Sequence, residues 1–321
     1  MAPTQLSLFA DPPPVPPPSP PPAFERERAL AGRLPPHVHL GSSSWTFPGW
    51  SGIVYPPRTS ERALADHGLR LYARYPLFRA VGVDRTYYAP LPERDAARYA
   101  AELPAGFPCV FKAWSGVTTA RDARTGERIS TFLDPVAFEA TVLRPLRGPM
   151  RGHVGAVVLE FPPMRGAGLM APAEFAARLD AFLGAVGGEL PLSVELRNRE
   201  LLTPAYLEVL ARRGVAHTLN LWEQMPDIGQ QLALPGVLAA PFVVCRLLLR
   251  PGTRHGDRKQ AMAPFDRNVD PNPEMREDVA TLAALCEKLG KVLFVLVNNK
   301  AEGSSPLTVL ALAERIALGR G

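Results

Sequence analysis

The sequence predicts an α/β protein that folds as one (β/α)8 barrel, and three observations support this fold. The chain has 321 residues with 46% apolar and 21% charged residues, close to the globular average, so it can bury a large core. Eight short apolar runs alternate with amphipathic helical segments, which is typical of parallel βα units. No GxGxxG or GxxxxGK loop follows any run, which disfavours an open nucleotide-binding sheet.

The first segment of the chain is unsuited to a packed core. Nearly every position from Pro12 to Pro22 is proline, which predicts an extended polyproline spacer. The segment lacks the basic stretch and apolar run of a secretory signal. We therefore expect a disordered proline-rich tail over residues 1–35, with a short helical turn at Phe24 to Leu30. One barrel domain follows over residues 36–321, a length that suits a single barrel of about 250 residues.

The strands and helices follow from the apolar pattern, taken in chain order. The predicted strands are Val38–Ser42, Phe78–Asp84, Cys109–Ala113, Gly155–Glu160, Leu192–Arg197, Ala216–Asn220, Phe242–Leu247 and Val292–Asn298. The clearest helical segments between them are Glu61–Tyr75, Pro172–Val186, Pro204–Arg213, Glu274–Leu289 and Pro306–Ala317. Proline opens several of these helices, where its missing N–H costs nothing.

Composition also narrows the cellular setting. No apolar run approaches the ~20 residues that a membrane helix needs, so we expect no membrane span. The 3 cysteines form no CxxC pair, which predicts neither a thiolate zinc site nor a disulfide framework and fits a reducing, cytoplasmic environment. The formal charge of +5 and the pI near 9.3 favour anionic partners mildly.

A ring of polar residues is predicted at one end of the barrel. Strand side chains alternate between the barrel interior and the helix layer. In the fifth run, Val194 and Leu196 suit the helix layer, so Ser193, Glu195 and Arg197 point inward. The same phase places inward Asp84, Lys112, Trp114, Glu160, Asn220, Arg246 and Asn298. All lie at or near the C-terminal ends of their strands, the end that carries the active site in barrel enzymes.

Aromatic and basic residues crowd the same end. The loops there carry the rings of Trp45, Trp50, Tyr87, Tyr88, Trp114 and Trp222, which suit stacking on sugars or bases. The loops after strands three and seven carry Arg121, Arg124, Arg128, Arg250, Arg254, Arg258, Lys259 and Arg267. Packing over the barrel mouth and solvated arginines are the alternatives. The candidate ligand-binding residues are Ser43, Trp45, Asp84, Tyr88, Trp114, Asn220, Trp222, Arg246 and Asn298.

Several chemistries are open for this ring. Its charged members cancel in sum, so a buried ion-pair network that closes the barrel is one interpretation. The candidate catalytic residues are Lys112, Glu160, Glu195 and Arg197. The two glutamates lie on adjacent strands, as a two-carboxylate hydrolase needs. A Schiff-base role for Lys112 is disfavoured by the neighbouring carboxylates. The 6 histidines show no ligand spacing, so a divalent metal is a minor alternative and no metal ligand is assigned.

Short motifs follow one another in order from Val38 to the C-terminus. They are Gly41-Ser-Ser-Ser-Trp45 with Trp50 and Tyr55-Pro-Pro57, Arg85-Thr-Tyr-Tyr88, Phe111-Lys-Ala113, Phe161-Pro-Pro163, Val194-Glu-Leu-Arg197, and Asn298-Asn299 with Ala301. Together they resemble the YecE-like family, domain of unknown function 72. The resemblance implies a TIM-barrel fold and no settled activity.

The chain departs from the family pattern on three strands. The resemblance implies a glutamate and an asparagine on strand two, where this chain has Gly82 and Asp84. Strand four usually ends in glutamine, here Glu160, and strand six in aspartate, here Asn220. A carboxylate has thus moved around the ring, and activities that need the strand-two glutamate do not carry over. The matched positions are Lys112, Glu195, Arg197 and Asn298.

The N-terminal peptide Gln5-Leu6-Ser7-Leu8-Phe9 resembles the bacterial sliding-clamp binding peptide. Leu8 and Phe9 are apolar anchors suited to a hydrophobic groove, and Gln5 supplies a directional hydrogen bond. The proline spacer would then hold the barrel away from the clamp. The peptide therefore predicts a partner that works at DNA.

Three functions remain open from the sequence. The first is a nucleic-acid- or nucleotide-binding barrel tethered to the clamp, with nuclease-like, hydrolytic chemistry if it is an enzyme. The second is a small-molecule enzyme that acts on a phosphosugar or a glycoside. The third is a non-enzymatic, clamp-recruited binding module whose polar ring is only structural.

Overall fold

Short runs of apolar residues form eight parallel strands that close into a barrel. The computed structural model describes residues 23–253 and 255–319. The strands are β1 (Val38–Ser42), β2 (Ala80–Val83), β3 (Cys109–Lys112), β4 (Val154–Phe161), β5 (Leu192–Leu196), β6 (Ala216–Leu221), β7 (Phe242–Leu247) and β8 (Val292–Val297). Their order around the barrel is their order along the chain, and β8 closes on β1. The predicted (β/α)8 TIM barrel is confirmed.

Helices join the strands and cover the outside of the barrel. They are α1 (Glu25–Arg33), α2 (Glu61–Tyr72), α3 (Glu93–Glu102), α4 (Ser115–Thr118), α5 (Pro135–Phe138), α6 (Arg144–Arg147), α7 (Pro172–Val186), α8 (Pro204–Arg213), α9 (Ile228–Leu232), α10 (His255–Met262), α11 (Pro273–Lys288) and α12 (Ser305–Leu318). Side-chain caps begin several of them: the Ser60 hydroxyl accepts from the Ala63 N–H, and the Thr203 hydroxyl accepts from the Tyr206 N–H. Proline stands in the first turn of α7 and α8, as predicted.

The folded part of the chain begins before residue 36. Helix α1 buries Leu30, and Phe24 packs edge-on against Tyr75 at 5.2 Å between ring centroids. The Arg79 guanidinium donates to the Pro35 carbonyl at 2.9 Å, which ties the end of this segment to the start of β2. The expected boundary at residue 36 is therefore too late. Pro12 to Pro22 and the peptide Gln5 to Phe9 lie outside the described residues.

Two apolar clusters separate the inside of the barrel from its outer shell. The inner cluster holds Ala80, Val110, Ala156, Val158, Ala216, Ala240, Phe242, Val244, Phe294 and Leu296. Val81, Val194 and Leu196 belong instead to the larger cluster between strands and helices. The strand parity read from the sequence is therefore confirmed. The same parity means that the next inward-facing residues, toward the C-terminal ends of the strands, lie directly above the inner cluster.

The state of the cysteines and the character of the helices can also be compared with the sequence predictions. Cys109, Cys245 and Cys286 are all buried free thiols. In residues 23–253 and 255–319, no helix combines the length and the apolar character that crossing a membrane requires.

Candidate functional site

Six charged side chains from five strands meet at the C-terminal end of the barrel, as predicted. They are Asp84, Lys112, Glu160, Glu195, Arg197 and Arg246, called the charged ring below. Lys112 ends β3, Glu195 lies in β5, and Asp84 directly follows β2. The charged ring places three carboxylates among three cations, so its formal charge is zero.

Arg246 is the centre of the charged ring. Its side chain is 1% exposed, and its guanidinium contacts all three carboxylates. Nη1 lies 2.5 Å from Glu195 Oε2 and 3.1 Å from Glu160 Oε2, and Nη2 lies 2.8 Å from Asp84 Oδ2. Burial opposes the charged form, but the charges of Asp84, Glu195 and Glu160 outweigh it and raise the pKa of Arg246. Arg246 thus joins β7 electrostatically to the ends of β2, β4 and β5.

Glu160 is held in its ionised form. Its Oε2 lies 2.7 Å from Lys112 Nζ and 3.1 Å from both Arg197 Nη2 and Arg246 Nη1. Burial alone would raise the pKa of this carboxyl, but the charges of Arg197, Lys112 and Arg246 outweigh burial and hold the pKa well below its usual range. A carboxylate in this state has no proton to donate at neutral pH, which argues against Glu160 as the general acid of a two-carboxylate hydrolase.

Exposure to solvent rises across the charged ring toward Asp84. The side chains of Glu195, Arg246 and Arg197 are 0%, 1% and 4% exposed, so they form a closed floor. Those of Lys112 and Glu160 are each 11% exposed, and that of Asp84 is 25% exposed. A ligand above the ring would therefore meet Asp84, Lys112 and Glu160 first. A cavity of about 240 Å³ opens beside Asp84 and is lined by Ser44, Trp45, Thr46, Ala65, Asp84, Arg85, Arg98 and Tyr99.

The Arg197 side chain is only partly satisfied. Its Nη2 forms an ion pair with Glu195 Oε1 at 2.5 Å, without hydrogen-bond geometry, and its Cζ lies 3.9 Å from the centroid of the Trp222 ring. In the part of the chain that the structure describes, Nε and Nη1 of Arg197 have no hydrogen-bond partner. The same holds for Oδ1 of Asn220, whose Nδ2 donates to the Leu196 carbonyl at 2.8 Å. Glu195 Oε1 also lacks a hydrogen-bond partner there, so the unsatisfied groups of these three residues are two donors and two acceptors.

Most of the aromatic residues do not form the stacking surface that the sequence predicts. Trp50 is fully buried and donates to Asn299 Oδ1 at 3.1 Å. Trp45 is buried edge-on against Tyr99, and Arg197 covers Trp222. The remaining rings are Trp114, half-buried against the core, Tyr87, which lies 5.1 Å from Lys112 Nζ, and Tyr88, which is 79% exposed. Tyr88 is thus the one largely exposed residue among these predicted rings.

Ser43 and Asn298 complete the polar end of the barrel without joining the ion pairs. Ser43 is buried, and within residues 23–253 and 255–319 its hydroxyl has no hydrogen-bond partner. Its backbone packs on Gly82, where a built Cβ would lie 2.9 Å from Ser43 Cα. The position where the family resemblance implies a glutamate therefore has no room for a side chain unless Ser43 moves. Asn298 caps the turn Asn299–Ala301 by accepting from the Lys300 N–H.

Some of the predicted basic loop residues form ion pairs and hydrogen bonds within the loops. Arg250 and Arg258 both pair with Asp270, at 3.2 and 2.5 Å, and Arg258 also donates to the Lys300 and Ala301 carbonyls. Arg258, which is 10% exposed, is therefore held by contacts within the protein, whereas Arg250 stays 41% exposed beside the carboxylate that both share. The residues left exposed are Arg124, Arg128, Lys259 and Arg267, whereas Arg254 lies outside the described residues.

Lys300 is a site residue that the sequence reading missed. It lies three residues after the end of β8, in the turn Asn299–Ala301, and is half-buried. Burial and the charge of Lys259 lower its pKa, Asp84 raises it, and Lys112 lowers it further. No carboxylate of residues 23–253 and 255–319 forms an ion pair with it. The charged ring and Lys300 together make four cations and three anions.

The charged ring does not have the arrangement of a metal-binding cluster. Among the described residues, no group of three or more His, Cys, Asp or Glu side chains is placed to hold a metal ion. The three carboxylates that meet at the mouth are each bound to cationic side chains.

The fold and the site together define a class: a (β/α)8 barrel whose C-terminal end is closed by a buried ring of ion pairs. The chain belongs to the DUF72 family, because the model of that family, described as a protein of unknown function, matches residues 39–320. The family resemblance predicted from the ordered motifs is thereby confirmed.

Relatives of the chain span nearly its whole length. The UPF0759 protein YunF of Bacillus subtilis (strain 168) is 25% identical over 282 residues, which cover 84% of this chain and 90% of that protein. A DUF72 family protein of Thermotoga maritima MSB8 has a TM-score of 0.62 at 16% identity and covers 88% of this chain and 99% of its own. A DUF72 family protein of Enterococcus faecalis V583 has a TM-score of 0.61 at 19% identity, covering 87% and 95%. The two solved structures support the fold alone.

Proposed function

We propose that the C-terminal end of the barrel binds an anionic ligand, and that this ligand is a nucleic acid or a nucleotide. One observation carries the proposal: Lys300 adds a cation to a charged ring whose six charges already cancel. A half-buried ammonium without a carboxylate partner is costly to keep charged. A phosphate at the mouth would compensate Lys300 and would also reach the exposed edge of Lys112.

The loops after β3 and β4 favour a polymeric anion over a small one. Arg124, Arg128 and Arg165 are exposed there. Two cavities of about 350 and 340 Å³ lie along these loops, and both are lined by Arg121 and Gly168. Exposed guanidinium groups along an open groove suit a phosphate backbone, which needs charge at several points and not one deep pocket.

In this proposal the charged ring acts as the floor of a binding site. Lys112, Glu160, Glu195 and Arg197 are paired with one another and hold each other in position, and the partly exposed Lys112 ammonium presents positive charge to the ligand. Hydrolytic chemistry at Glu160 is not part of the proposal, because this carboxyl stays ionised. The cavity beside Asp84 favours a small phosphosugar as the alternative ligand, since its volume of about 240 Å³ suits a small molecule.

Binding of labelled 20-mer oligonucleotides, measured by fluorescence anisotropy from low to physiological salt, tests the proposal. We expect affinity that falls steeply with salt, and Lys300→Ala is expected to weaken binding and to reduce the salt slope by about 1. The matched control is Lys288→Ala, which removes an exposed lysine at the end of α11. Absence of binding at low salt contradicts the proposal. Displacement by sugar phosphates, but not by nucleotides, would favour the alternative.

We also propose that the N-terminal peptide recruits the protein to the DNA sliding clamp. The support is the sequence of residues 5–9 alone, which combines a glutamine with two leucines and a phenylalanine. In a pull-down with the clamp, the full chain is expected to be retained, and the double variant Leu8→Ala/Phe9→Ala is expected to be lost. Equal recovery of both chains would remove the clamp from the proposal and leave anion binding at the barrel untouched.

A further inference from the structure

The cavity beside Asp84 is built from segments that follow two neighbouring strands. Residues Ser44 to Thr46 follow β1, Asp84 and Arg85 follow β2, and helix α3 contributes Arg98 and Tyr99. The volume of about 240 Å³ lies just below the usual range of ligand pockets, so the cavity suits one compact group and not a chain that passes through it. It is smaller than the two cavities along the loops after β3 and β4, which measure about 350 and 340 Å³.

Two arginines line this cavity and lie against the same aromatic ring. Arg98 Cζ lies 5.3 Å and Arg85 Cζ lies 5.9 Å from the centroid of the Tyr99 ring. Tyr99 is buried and packs edge-on against Trp45, with 5.2 Å between the ring centroids. Because this ring is packed in the core, it holds both guanidinium groups in place, which lowers the entropy that they lose when they bind a ligand.

The two guanidinium groups share a carboxylate and keep free donors. Arg85 Nη1 lies 3.1 Å from Asp95 Oδ2, and Arg98 Nη2 lies 3.4 Å from Asp95 Oδ1. Arg85 Nη1 also donates to Tyr99 Oη at 2.6 Å. Arg98 Nη1 donates to the Ala65 carbonyl at 2.9 Å. Each guanidinium has five N–H donors and the side chains of Arg85 and Arg98 are 48% and 40% exposed, so donors of both groups stay open to a ligand.

The carboxylate that lines the cavity is already compensated. Asp84 accepts two hydrogen bonds from Arg246 Nη2, at 2.8 and 3.0 Å, and its Oδ2 lies 3.3 Å from Lys112 Nζ. The charged ring to which Asp84 belongs sums to zero. Arg85 and Arg98 together with Asp95 therefore leave one positive charge at the cavity.

We propose that this cavity binds a terminal phosphate monoester of the nucleic acid or nucleotide, at its 5′ or 3′ end, through Arg85 and Arg98. The inference rests on the proposed function, because it assigns one part of the same ligand to the cavity. A phosphate monoester carries a charge of about −1.5 to −2 at pH 7 and has three terminal oxygens, whereas a phosphodiester inside the chain carries one charge. Two planar guanidinium groups match the monoester in charge and in the number of its acceptors.

Fluorescence anisotropy with oligonucleotides that differ only at their ends tests the inference on the full chain. The same internally labelled 20-mer is prepared with a 5′-phosphate, with a 3′-phosphate or with hydroxyls at both ends. We expect one of the two phosphorylated strands to bind about tenfold more tightly than the hydroxyl strand, the gain from roughly one charged hydrogen bond. The end that gives this gain identifies the terminus that enters the cavity.

The ratio of the affinities for the phosphorylated and the hydroxyl strand separates the cavity from general charge effects, since a lost surface cation weakens the binding of both strands. Arg85→Ala and Arg98→Ala are each expected to bring this ratio toward one. Arg98→Lys is expected to lower it less, because lysine keeps the charge but not the planar fork. The matched control is Arg94→Ala, which removes an exposed arginine of the same helix α3 and is expected to leave the ratio unchanged.

The strand comparison in the wild type does not depend on how well the variants fold. Equal wild-type affinity for all three strands overturns the inference, and the proposed function stands if that affinity still falls steeply with salt. A ratio that falls as far in Arg94→Ala as in Arg98→Ala also overturns the inference. Absence of binding for every strand at low salt overturns the proposed function. Ribose 5-phosphate that then still binds the wild type, but not Arg98→Ala, would keep the cavity as a phosphate monoester site.

Discussion

Replacing Arg246 with methionine is expected to lower the free energy of unfolding by about 3–5 kcal/mol at pH 7. The guanidinium is 1% exposed and contacts Asp84, Glu160 and Glu195, so its loss leaves three carboxylates facing only Lys112 and Arg197. Because Glu195 is fully buried, water cannot replace the lost partner. Urea denaturation, followed by circular dichroism, measures the change.

Two controls separate the charged ring from general effects of removing an arginine. Arg315→Met breaks an exposed pair with Glu277 and is expected to change stability by no more than about 1 kcal/mol. The double variant Arg246→Met/Glu195→Gln is expected to lose less than the sum of its single changes, since the neutral amide no longer needs the guanidinium. An Arg246→Met chain as stable as Arg315→Met would show that the ring does not hold the barrel closed.

The charged ring was predictable from the sequence because strands have a side-chain period of two. In β5 the apolar residues Val194 and Leu196 define the outward phase, which leaves Glu195 with no alternative but the interior. Once a barrel is assumed, the C-terminal ends of all strands meet, and the ring follows from geometry. The surroundings of the aromatic side chains could not be predicted in this way. Trp50 packs against Tyr55 and Phe78, partners that a linear pattern does not identify.

The roles of the basic residues were also beyond the sequence. In the sequence Arg250 and Arg258 look like free cations, yet both form ion pairs with Asp270, which lies in a later part of the same long loop. In the sequence Lys300 follows two asparagines and shows no sign of a special role. Only the fold places it near Lys259 and Lys112. Pairing between loops depends on tertiary contacts, so the formal charge of a loop does not predict the charge that a ligand meets.

Neutralising Glu160 is expected to produce a pH-dependent loss of stability. At pH 7, Glu160→Gln should cost roughly 3 kcal/mol, because Lys112, Arg197 and Arg246 then face only Asp84 and Glu195. The folded pKa of Glu160 lies below its ordinary value of 4.5, so its contribution is fully present well above pH 4.5 and is lost as the pH falls toward the folded pKa. The gap between wild type and Glu160→Gln in urea denaturation should therefore be constant from pH 6 to 8 and shrink below pH 4.5. A gap that widens in acid would contradict this role of Glu160.

The substitution Asn220→Asp is expected to change stability in opposite directions in the wild type and in the Glu160→Gln variant. Oδ1 of Asn220 and Nε and Nη1 of Arg197 are buried without partners in the described part of the chain, and Asn220 already contacts the neighbouring Leu196 carbonyl. In wild type a fourth carboxylate makes the ring net negative, and we expect destabilisation. In Glu160→Gln the same carboxylate restores the balance of three anions and three cations, and we expect it to recover about 1.5 kcal/mol through charged hydrogen bonds. Urea denaturation of the four chains at pH 7 measures both signs. Equal effects of Asn220→Asp in both backgrounds would mean that local packing, and not the count of carboxylates, governs this end of the barrel.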